Sequence, residues 1–217
     1  MALIRSVFQD ELDNVSQSLV DLTEMVSTAM SKATSAILNS DLKLAEEVIA
    51  NDEKIDEYQH DIDSRIIDII ARQQPVASDL RALVTALRMG SDLERMGDLA
   101  HHVAKLARLR YPACAITPEL IQIVTEKGRV AVALTNKIGM VIATRNTEMA
   151  LEVERDDDEM DDLHRQLIGQ LIEPNWKYGI ETAIDLTLLG RYYERYADHA
   201  VSVSRRVYFL VTGKFAS

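Results

Sequence analysis

The sequence has few residues that break or cross-link a chain. Among its 217 residues are 1 Cys, 4 Pro and 8 Gly, and aromatic side chains make up only 5%. A single cysteine cannot form an internal disulfide, so a disulfide-stapled fold is excluded and a reducing compartment is compatible. Because turn-forming residues are scarce, we expect long, uninterrupted elements of secondary structure.

Long apolar runs and an excess of positive charge are also missing. No run approaches the ~20 apolar residues that span a bilayer, and the opening residues, MALIRSVFQD, lack the apolar core of a secretory signal. The 24 Lys and Arg against 35 Asp and Glu give a net charge of −11, which disfavours nucleic acid and anionic lipid as partners. We therefore expect a soluble, acidic, cytoplasmic protein with no direct membrane insertion.

Apolar residues recur at helical spacing along the whole chain, without strand-like alternation. This pattern predicts an all-α fold. Prolines and capping residues divide the pattern into six helices. The expected helices run from about Leu3 to Leu38, from a cap at Asp41 to Arg72, from after Ser78 to Leu109, from a cap at Thr117 to about Arg145, from a cap at Thr147 to before Pro174, and from about Trp176 to Val211.

An internal repeat divides the six helices into two sets of three. Residues 91–104 (SDLERMGDLAHHVA) align with residues 191–204 (RYYERYADHAVSVS) at an offset of 100. Farther upstream, residues 52–57 align with residues 157–162 at an offset of 105. The repeat predicts two tandem, pseudo-symmetric three-helix bundles, residues 1–111 and 117–217, joined by a linker at residues 112–116.

Each half carries two pairs of acids spaced four residues apart, one pair on its second helix and one on its third. This spacing places both carboxylates of a pair on one face of a helix. Their mutual repulsion favours a compensating cation, and facing pairs would make an all-oxygen site for Fe, Mn, Mg, Ca or Zn. The predicted metal ligands are Asp52, Asp56, Glu94 and Asp98 in the first half and Asp157, Asp161, Glu194 and Asp198 in the second.

Apolar residues precede these acids on the third and sixth helices. Val84 lies upstream of Glu94 as Ile184 lies upstream of Glu194, so we expect the acids to interrupt a packed apolar stripe. The alternative interpretation is a solvated helix face without metal, because Glu-x-x-x-Asp occurs on many helices. The arginine after each glutamate would then be an ordinary surface ion-pair partner.

Histidine and nucleophile patterns give no catalytic site. His60 and His164 each follow an acid by three residues, as in di-iron bundles, but they do not align with each other in the repeat. His101, His102 and His199 are not repeated either, so we expect structural or solvent-exposed roles for all five. The sequence has no Gly-rich phosphate loop and no Gly-x-Ser-x-Gly. We therefore expect no enzymatic activity.

Two tandem three-helix bundles, each with Glu-Arg-x-x-Asp on its last helix, resemble the PhoU family. Residues 93–98 (LERMGD) are close to the family pattern Leu-Glu-Arg-Ile-Gly-Asp, whereas residues 193–198 (YERYAD) keep the acids and lack the glycine. The resemblance spans essentially the whole chain. It implies metal bound on the carboxylate faces, with Glu94, Asp98 and their repeats Glu194 and Asp198 as the best-matched ligands.

The same resemblance implies a function. PhoU proteins are cytoplasmic regulators, often homodimers, of the high-affinity phosphate transporter. They repress the phosphate-starvation regulon when phosphate is plentiful and are thought to bridge the transporter ATPase and the membrane sensor histidine kinase. We expect the same role for this chain.

A ferritin-like carboxylate metalloprotein that handles iron is the main alternative, and a helical scaffold without metal is a third. An iron oxidase needs a closed, inward-facing site of Glu and Glu-x-x-His ligands, whereas an adaptor can carry metal at its surface. The direction in which the acids face therefore distinguishes the two classes.

Overall fold

The protein is a bundle of six α-helices, and the all-α prediction is confirmed. A computed structural model describes the backbone of residues 2–214 and the side chains of residues 8–214, and within that range there is no β-strand. Residue 1 and residues 215–217, which belong to the expected bundles, lie outside the described part. The helices are α1 Ala2–Asn39, α2 Leu42–Gln73, α3 Ala77–Arg110, α4 Ile121–Thr144, α5 Thr147–Leu171 and α6 Gly179–Thr212.

The predicted cap of α2 is confirmed, and two other predicted starts are wrong in detail. Asp41 accepts a hydrogen bond from the Leu44 amide at 3.0 Å, which satisfies one free N–H of the first turn. Asn146, not Thr147, caps α5, because its side-chain oxygen accepts hydrogen bonds from the amides of Glu148 and Met149. Thr117 makes no capping hydrogen bond, and a 3₁₀ turn over Pro118–Leu120 precedes α4.

The start of α6 was predicted too early. Residues 172–178 form turns and bends, and α6 begins at Gly179. The indole N–H of Trp176 donates to the carbonyl of Gly179 at 2.8 Å, so Trp176 closes the turn that precedes the helix. The other end of α6 is as expected, because Gly213 takes a left-handed conformation (φ 73°) there.

Helices α1, α2 and α3 pack on one another, as do α4, α5 and α6. The two sets meet where α1 packs against α4 and where α3 packs against α6. Within each set, α1 also contacts α3 and α4 contacts α6. Four helices therefore form a central layer, and α2 and α5 lie on its outside. This arrangement leaves the faces between α2 and α3, and between α5 and α6, open to solvent along their outer edges.

The contact between α1 and α4 follows the twofold pseudo-symmetry of the repeat. A Cβ atom at Gly128 would lie 2.4 Å from Thr34 Cγ2, and one at Gly139 would lie 2.7 Å from Thr23 Oγ1. The two pairs are related by an offset of 105. Each glycine therefore allows a threonine of α1 to approach the backbone of α4.

The predicted linker is packed against the bundle. Ala115 and Ile116 are buried, while Cys114 is exposed near the end of α1. Burial of this segment holds α3 and the 3₁₀ turn in a fixed relation. The division at residues 112–116 stays a prediction.

The expected packed stripe is only partly present. Leu83 is fully buried, but Val84 is 39% exposed and its equivalent in the second half, Ile184, is 55% exposed. Upstream of the acids, this part of the stripe therefore faces solvent in both halves. No helix among the described residues is long and apolar enough to cross a membrane.

Candidate functional site

The first acidic face consists of Asp52 and Asp56 of α2 and Glu94 and Asp98 of α3. All four side chains are partly buried where the two helices pack together. Burial and the nearby charges of Asp52 and Asp98 raise the pKa of Asp56. Burial and the charge of Asp98 likewise raise the pKa of Glu94. The structure therefore brings the four predicted residues into one group with unbalanced negative charge.

Arg95 and His101 border the first acidic face. Arg95 Nη1 lies 2.6 Å from Asp98 Oδ2, and its Nε lies 3.7 Å from Glu94 Oε2, so Arg95 is the ion-pair partner considered above. His101 Nδ1 is hydrogen-bonded to Asp52 Oδ2. The other ring nitrogen of His101 is buried and has no hydrogen-bond partner among the described residues. His101 thus joins the face, although the repeat gave no reason to expect it there.

The second acidic face consists of Asp157 and Asp161 of α5 and Glu194 and Asp198 of α6. Burial and the charges of Asp161 and Asp198 raise the pKa of Asp157 to about 7. Burial and the charge of Glu194 raise the pKa of Asp198. The second half therefore repeats the grouping of the first, with one carboxyl group that titrates near neutral pH.

The polar neighbours of the second acidic face differ from those of the first. Arg191 Nη1 lies 2.6 Å from Glu194 Oε2, and no ion pair of Arg195 occurs within the described part of the chain. His164 of α5 approaches Glu194 Oε2 to 3.5 Å. A histidine therefore stands beside each face, but the two come from different helices, which explains why the repeat did not reveal them.

Lys127 lies beneath the second acidic face and has no exposed surface. Its Nζ is 3.5 Å from the carbonyl oxygen and 3.4 Å from the Sδ of Met160. Burial lowers the pKa of Lys127 to about 8, against the opposing effect of carboxylates that include Glu194. Its equivalent in the first half, at the offset of 105, is Leu22, which is fully buried. Among the side chains of residues 8–214, a fully buried lysine therefore lies beneath the second face and not beneath the first.

The lysine was detectable from the sequence. Lys127 stands on the apolar side of α4, close to the buried residues Val124, Val130 and Ala131. A charged residue at such a position is rarely fully buried without a nearby opposite charge. Aligning α1 with α4 would have pointed to it.

The donor set of both faces suits hard divalent cations. Carboxylate oxygens from two facing helices are the ligands that Mg²⁺, Mn²⁺ and Ca²⁺ prefer. Burial first, and the charges of neighbouring acids second, raise the pKa values of Asp56, Glu94, Asp157 and Asp198, so a bound cation would offset both effects. Within residues 8–214 no three His, Cys, Asp or Glu side chains already stand in metal-binding geometry.

The remaining histidines have structural or exposed positions, as expected. His60 is exposed and bonds to the Asp56 carbonyl of its own helix. His102 stacks on Tyr192 with ring centroids 5.2 Å apart. His199 Nδ1 lies 3.1 Å from Asp92 Oδ1, which ties α6 to α3 across the two halves.

Fold and acidic faces together define a class of protein, an all-helical molecule made of a duplicated three-helix unit with a carboxylate group on each copy. The family model of the PhoU domain matches this chain twice, over residues 19–107 and 124–207. The accessory protein "PhoU homolog 2" of the phosphate-specific transport system of Mycobacterium tuberculosis is 44% identical, over 98% of this chain and 100% of its own length.

Solved structures agree with this match. The crystal structure of the phosphate transport system regulatory protein PhoU from Streptococcus pneumoniae superposes with a TM-score of 0.87 at 25% identity, covering 97% of this chain and 99% of that one. PhoU from Pseudomonas aeruginosa gives a TM-score of 0.86 at 28% identity, covering 95% of this chain and all of that one. The chain belongs to the PhoU family.

Proposed function

We propose that this chain is a non-enzymatic regulator of phosphate uptake and a negative regulator of the phosphate-starvation regulon. Family membership supports the proposal, since the relatives described above are named as accessory or regulatory proteins of phosphate transport. In this role the protein works in the cytoplasm as an adaptor. Its partners are the ATPase subunit of the phosphate transporter and the sensor histidine kinase, and it acts as a homodimer.

The two acidic faces are the proposed metal sites of this adaptor. Asp52, Asp56, Glu94 and Asp98 would hold metal on the first, and the four equivalent residues would hold it on the second. A bound divalent cation supplies positive charge that neutralises adjacent carboxylates. Binding would require the carboxylate side chains to rotate toward a common point, because within residues 8–214 they do not yet converge.

One observation carries this proposal: both halves assemble the same four acids on the outer edge between two helices. The side chains of Asp98 and Glu94 are 30% and 23% exposed, so the faces are open enough to meet another protein. The pKa values of Asp56 and Asp157 are raised by burial and neighbouring acids, so binding of a cation would relieve repulsion. Metal would thereby set the charge of a docking surface.

The ferritin-like alternative has less support. Its site would be closed and would include a Glu-x-x-His pair from each of two helices. Here the acids are partly exposed, and His60, which completes the first such motif, bonds to its own helix instead. An iron-dependent oxidase activity of the purified chain would favour the alternative.

The metal assignment is tested by substituting one acid on each face. We expect Asp98→Ala with Asp198→Ala to lower the amount of divalent metal retained after purification, measured by elemental analysis. Asp10→Ala with Asp61→Ala removes two exposed acids outside both faces and should retain the parent content. Equal metal in the Asp98/Asp198 double variant and the parent would reject the assignment.

The regulator assignment is tested in cells. Deleting the gene should release expression of an alkaline phosphatase reporter in medium rich in phosphate, because repression of the regulon would be lost. Reintroducing the full chain should restore repression. A reporter that stays repressed after the deletion would reject the regulator assignment.

A further inference from the structure

A cavity of about 310 Å³ lies between the first half of α3 and the last part of α6. Its volume is at the lower end of the range for small-molecule sites. It joins the two halves of the molecule and is separate from the first acidic face. Four arginines and two hydroxyl side chains contribute to its lining, namely Arg81, Thr85, Arg88, Ser202, Arg205 and Arg206.

Two of these arginines are held by carboxylates. Arg206 Nε donates to Asp92 Oδ2 at 2.7 Å, and Arg205 is paired with Glu154. Burial alone would raise the pKa of Asp92, but hydrogen bonds from His199, Arg206 and Ser202 hold it below its usual value. Asp92 therefore stays ionised and fixes one wall of the cavity.

The other two arginines have no carboxylate partner among the described side chains. The guanidinium of Arg81 lies over the ring of Phe209, 5.5 Å from its centroid, and Arg88 is exposed on the next turns of α3. Both positively charged groups face the same cavity. In a chain of net charge −11, this is a local surplus of positive charge.

The pseudo-symmetric end of the α3–α6 contact provides an internal comparison. There, Arg110 is paired with Glu181 at 2.7 Å and with Asp185 at 2.5 Å, so the arginine is neutralised within the protein. At the offset of 100, the equivalents of Glu181 and Asp185 are Arg81 and Thr85. The cavity thus has a cation and a hydroxyl where its counterpart has two carboxylates.

We propose that this arginine-lined cavity binds a phosphate-type oxyanion, either inorganic phosphate or the phosphoryl group of a small phosphate ester. Planar guanidinium groups donate paired hydrogen bonds that match the oxygen spacing of such anions. Arg81 and Arg88 are the anion-binding groups, and the ion-paired Arg205 and Arg206 shape the opposite wall. The site does not depend on the proposed regulatory role.

One negative charge opposes the anion. Asp198 of the second acidic face also lines the cavity, so its carboxylate repels a bound oxyanion. Neutralising Asp198 should therefore strengthen anion binding. Removing the charge of Asp198 should thus raise the affinity for the anion, whereas removing an arginine should lower it.

The test is calorimetric titration of the metal-free full chain with inorganic phosphate and, separately, with glycerol 3-phosphate. We expect Arg81→Gln with Arg88→Gln to weaken binding about tenfold or more. Arg108→Gln with Arg155→Gln, two exposed arginines outside the cavity, changes the net charge equally and should bind like the parent. Asp198→Asn should bind about three- to tenfold more tightly.

Each result decides the proposal. If the parent binds inorganic phosphate more tightly than glycerol 3-phosphate, the ligand is the free ion. If it binds glycerol 3-phosphate more tightly, the ligand is a phosphorylated small molecule. Absence of binding of both probes by the parent at millimolar concentration overturns the proposal. Equal weakening in the two double-arginine variants overturns it too, because binding would then follow bulk charge. The regulatory role is tested separately, by the alkaline phosphatase reporter in the deletion strain.

Discussion

Single residues give the two acidic faces different electrostatics. Both faces have four equivalent acids, but Lys127 lies beneath the second one and the apolar Leu22 occupies the same place in the first half. In addition, the pKa of Asp157 rises to about 7. The second face therefore changes its charge near neutral pH.

The raised pKa of Asp157 predicts a pH-dependent stability. Between its usual pKa of 3.8 and about 7, the folded protein holds a proton that the unfolded chain has released. The unfolded state then binds fewer protons, so the free energy of unfolding falls as pH rises through this window. We expect Asp157→Asn to reduce that fall in the metal-free protein.

Urea unfolding of the parent and Asp157→Asn at several pH values from 4 to 8 measures this effect. The difference between the two proteins is the relevant quantity, because other groups titrate in both. Asp61→Asn, an exposed acid outside the faces, serves as control. A pH profile identical for the parent and Asp157→Asn would show that Asp157 titrates normally.

Lys127 predicts a difference in metal affinity. With a pKa of about 8, its amine is mostly protonated at pH 7 and repels a cation bound above it. We expect Lys127→Met to tighten binding of Mn²⁺ to the second face about three- to tenfold. The background for this experiment carries Glu94→Gln and Asp98→Asn, so that the first face does not contribute.

Electron paramagnetic resonance of free Mn²⁺ during titration reads this affinity directly. Leu22→Met, at the equivalent position of the first half, should leave binding to the second face unchanged. Weaker or unaltered Mn²⁺ binding in the Lys127→Met protein would mean that the buried amine does not act on this face.

At the scale of residues, the sequence was enough to select the acids of the two faces, but it did not predict which other side chains lie beside them. The i, i+4 spacing and the repeat predicted the eight carboxylates as metal ligands, because both signals can be read directly from the sequence, and metal binding there stays a prediction. His101, His164 and Lys127 come from packing between helices that the repeat does not conserve. Their approach to the faces depends on tertiary contacts alone.

At the scale of elements, the close approach of α1 and α4 depends on small residues. A Cβ at Gly128 would lie 2.4 Å from Thr34 Cγ2 and 2.9 Å from its Oγ1. We expect Gly128→Ala to lower the free energy of unfolding by about 1–3 kcal/mol, because the helices must move apart. Adding Thr34→Ser should recover part of the loss, since it removes the closest methyl group.

Gly169→Ala is the matched control for this prediction. Gly169 is exposed near the end of α5 and has no atom within 4 Å of a Cβ placed there. Alanine at an unobstructed helical site should raise stability by roughly 0.5–1 kcal/mol. Chemical denaturation of both variants measures the contrast, and a Gly128→Ala protein as stable as the parent would refute the close-packing argument.

Helix existence was predictable and helix starts were less so. Long apolar periodicity over six segments leaves little choice of structure, and Asp41 has the one geometry that a cap requires. Thr117 and Thr147 have the right side chains, but the 3₁₀ turn and the neighbouring Asn146 supply the geometry instead. Where a helix begins depends on which of several neighbouring polar side chains bonds to the free backbone amides. The sequence alone does not distinguish these candidate caps.

At the scale of the whole molecule, duplication provides two similar halves whose differences are informative. The offsets of 100 and 105 predicted a symmetric pair of bundles. The arrangement of four helices in a central layer follows from side chains on α1, α3, α4 and α6 that pack across the halves, which the repeat alone does not specify. The arginine-lined cavity arises at this cross-half contact and could not be anticipated from either half.

The central claim is that the carboxylate faces enable the chain to repress the phosphate-starvation regulon. A deletion strain carrying Glu94→Gln, Asp98→Asn, Glu194→Gln and Asp198→Asn tests it most directly, because these amides keep side-chain shape and remove charge. Alkaline phosphatase reporter activity at high phosphate is measured beside the parent chain, with equal protein levels verified. We predict derepression with the variant. Full repression by the variant would contradict the account.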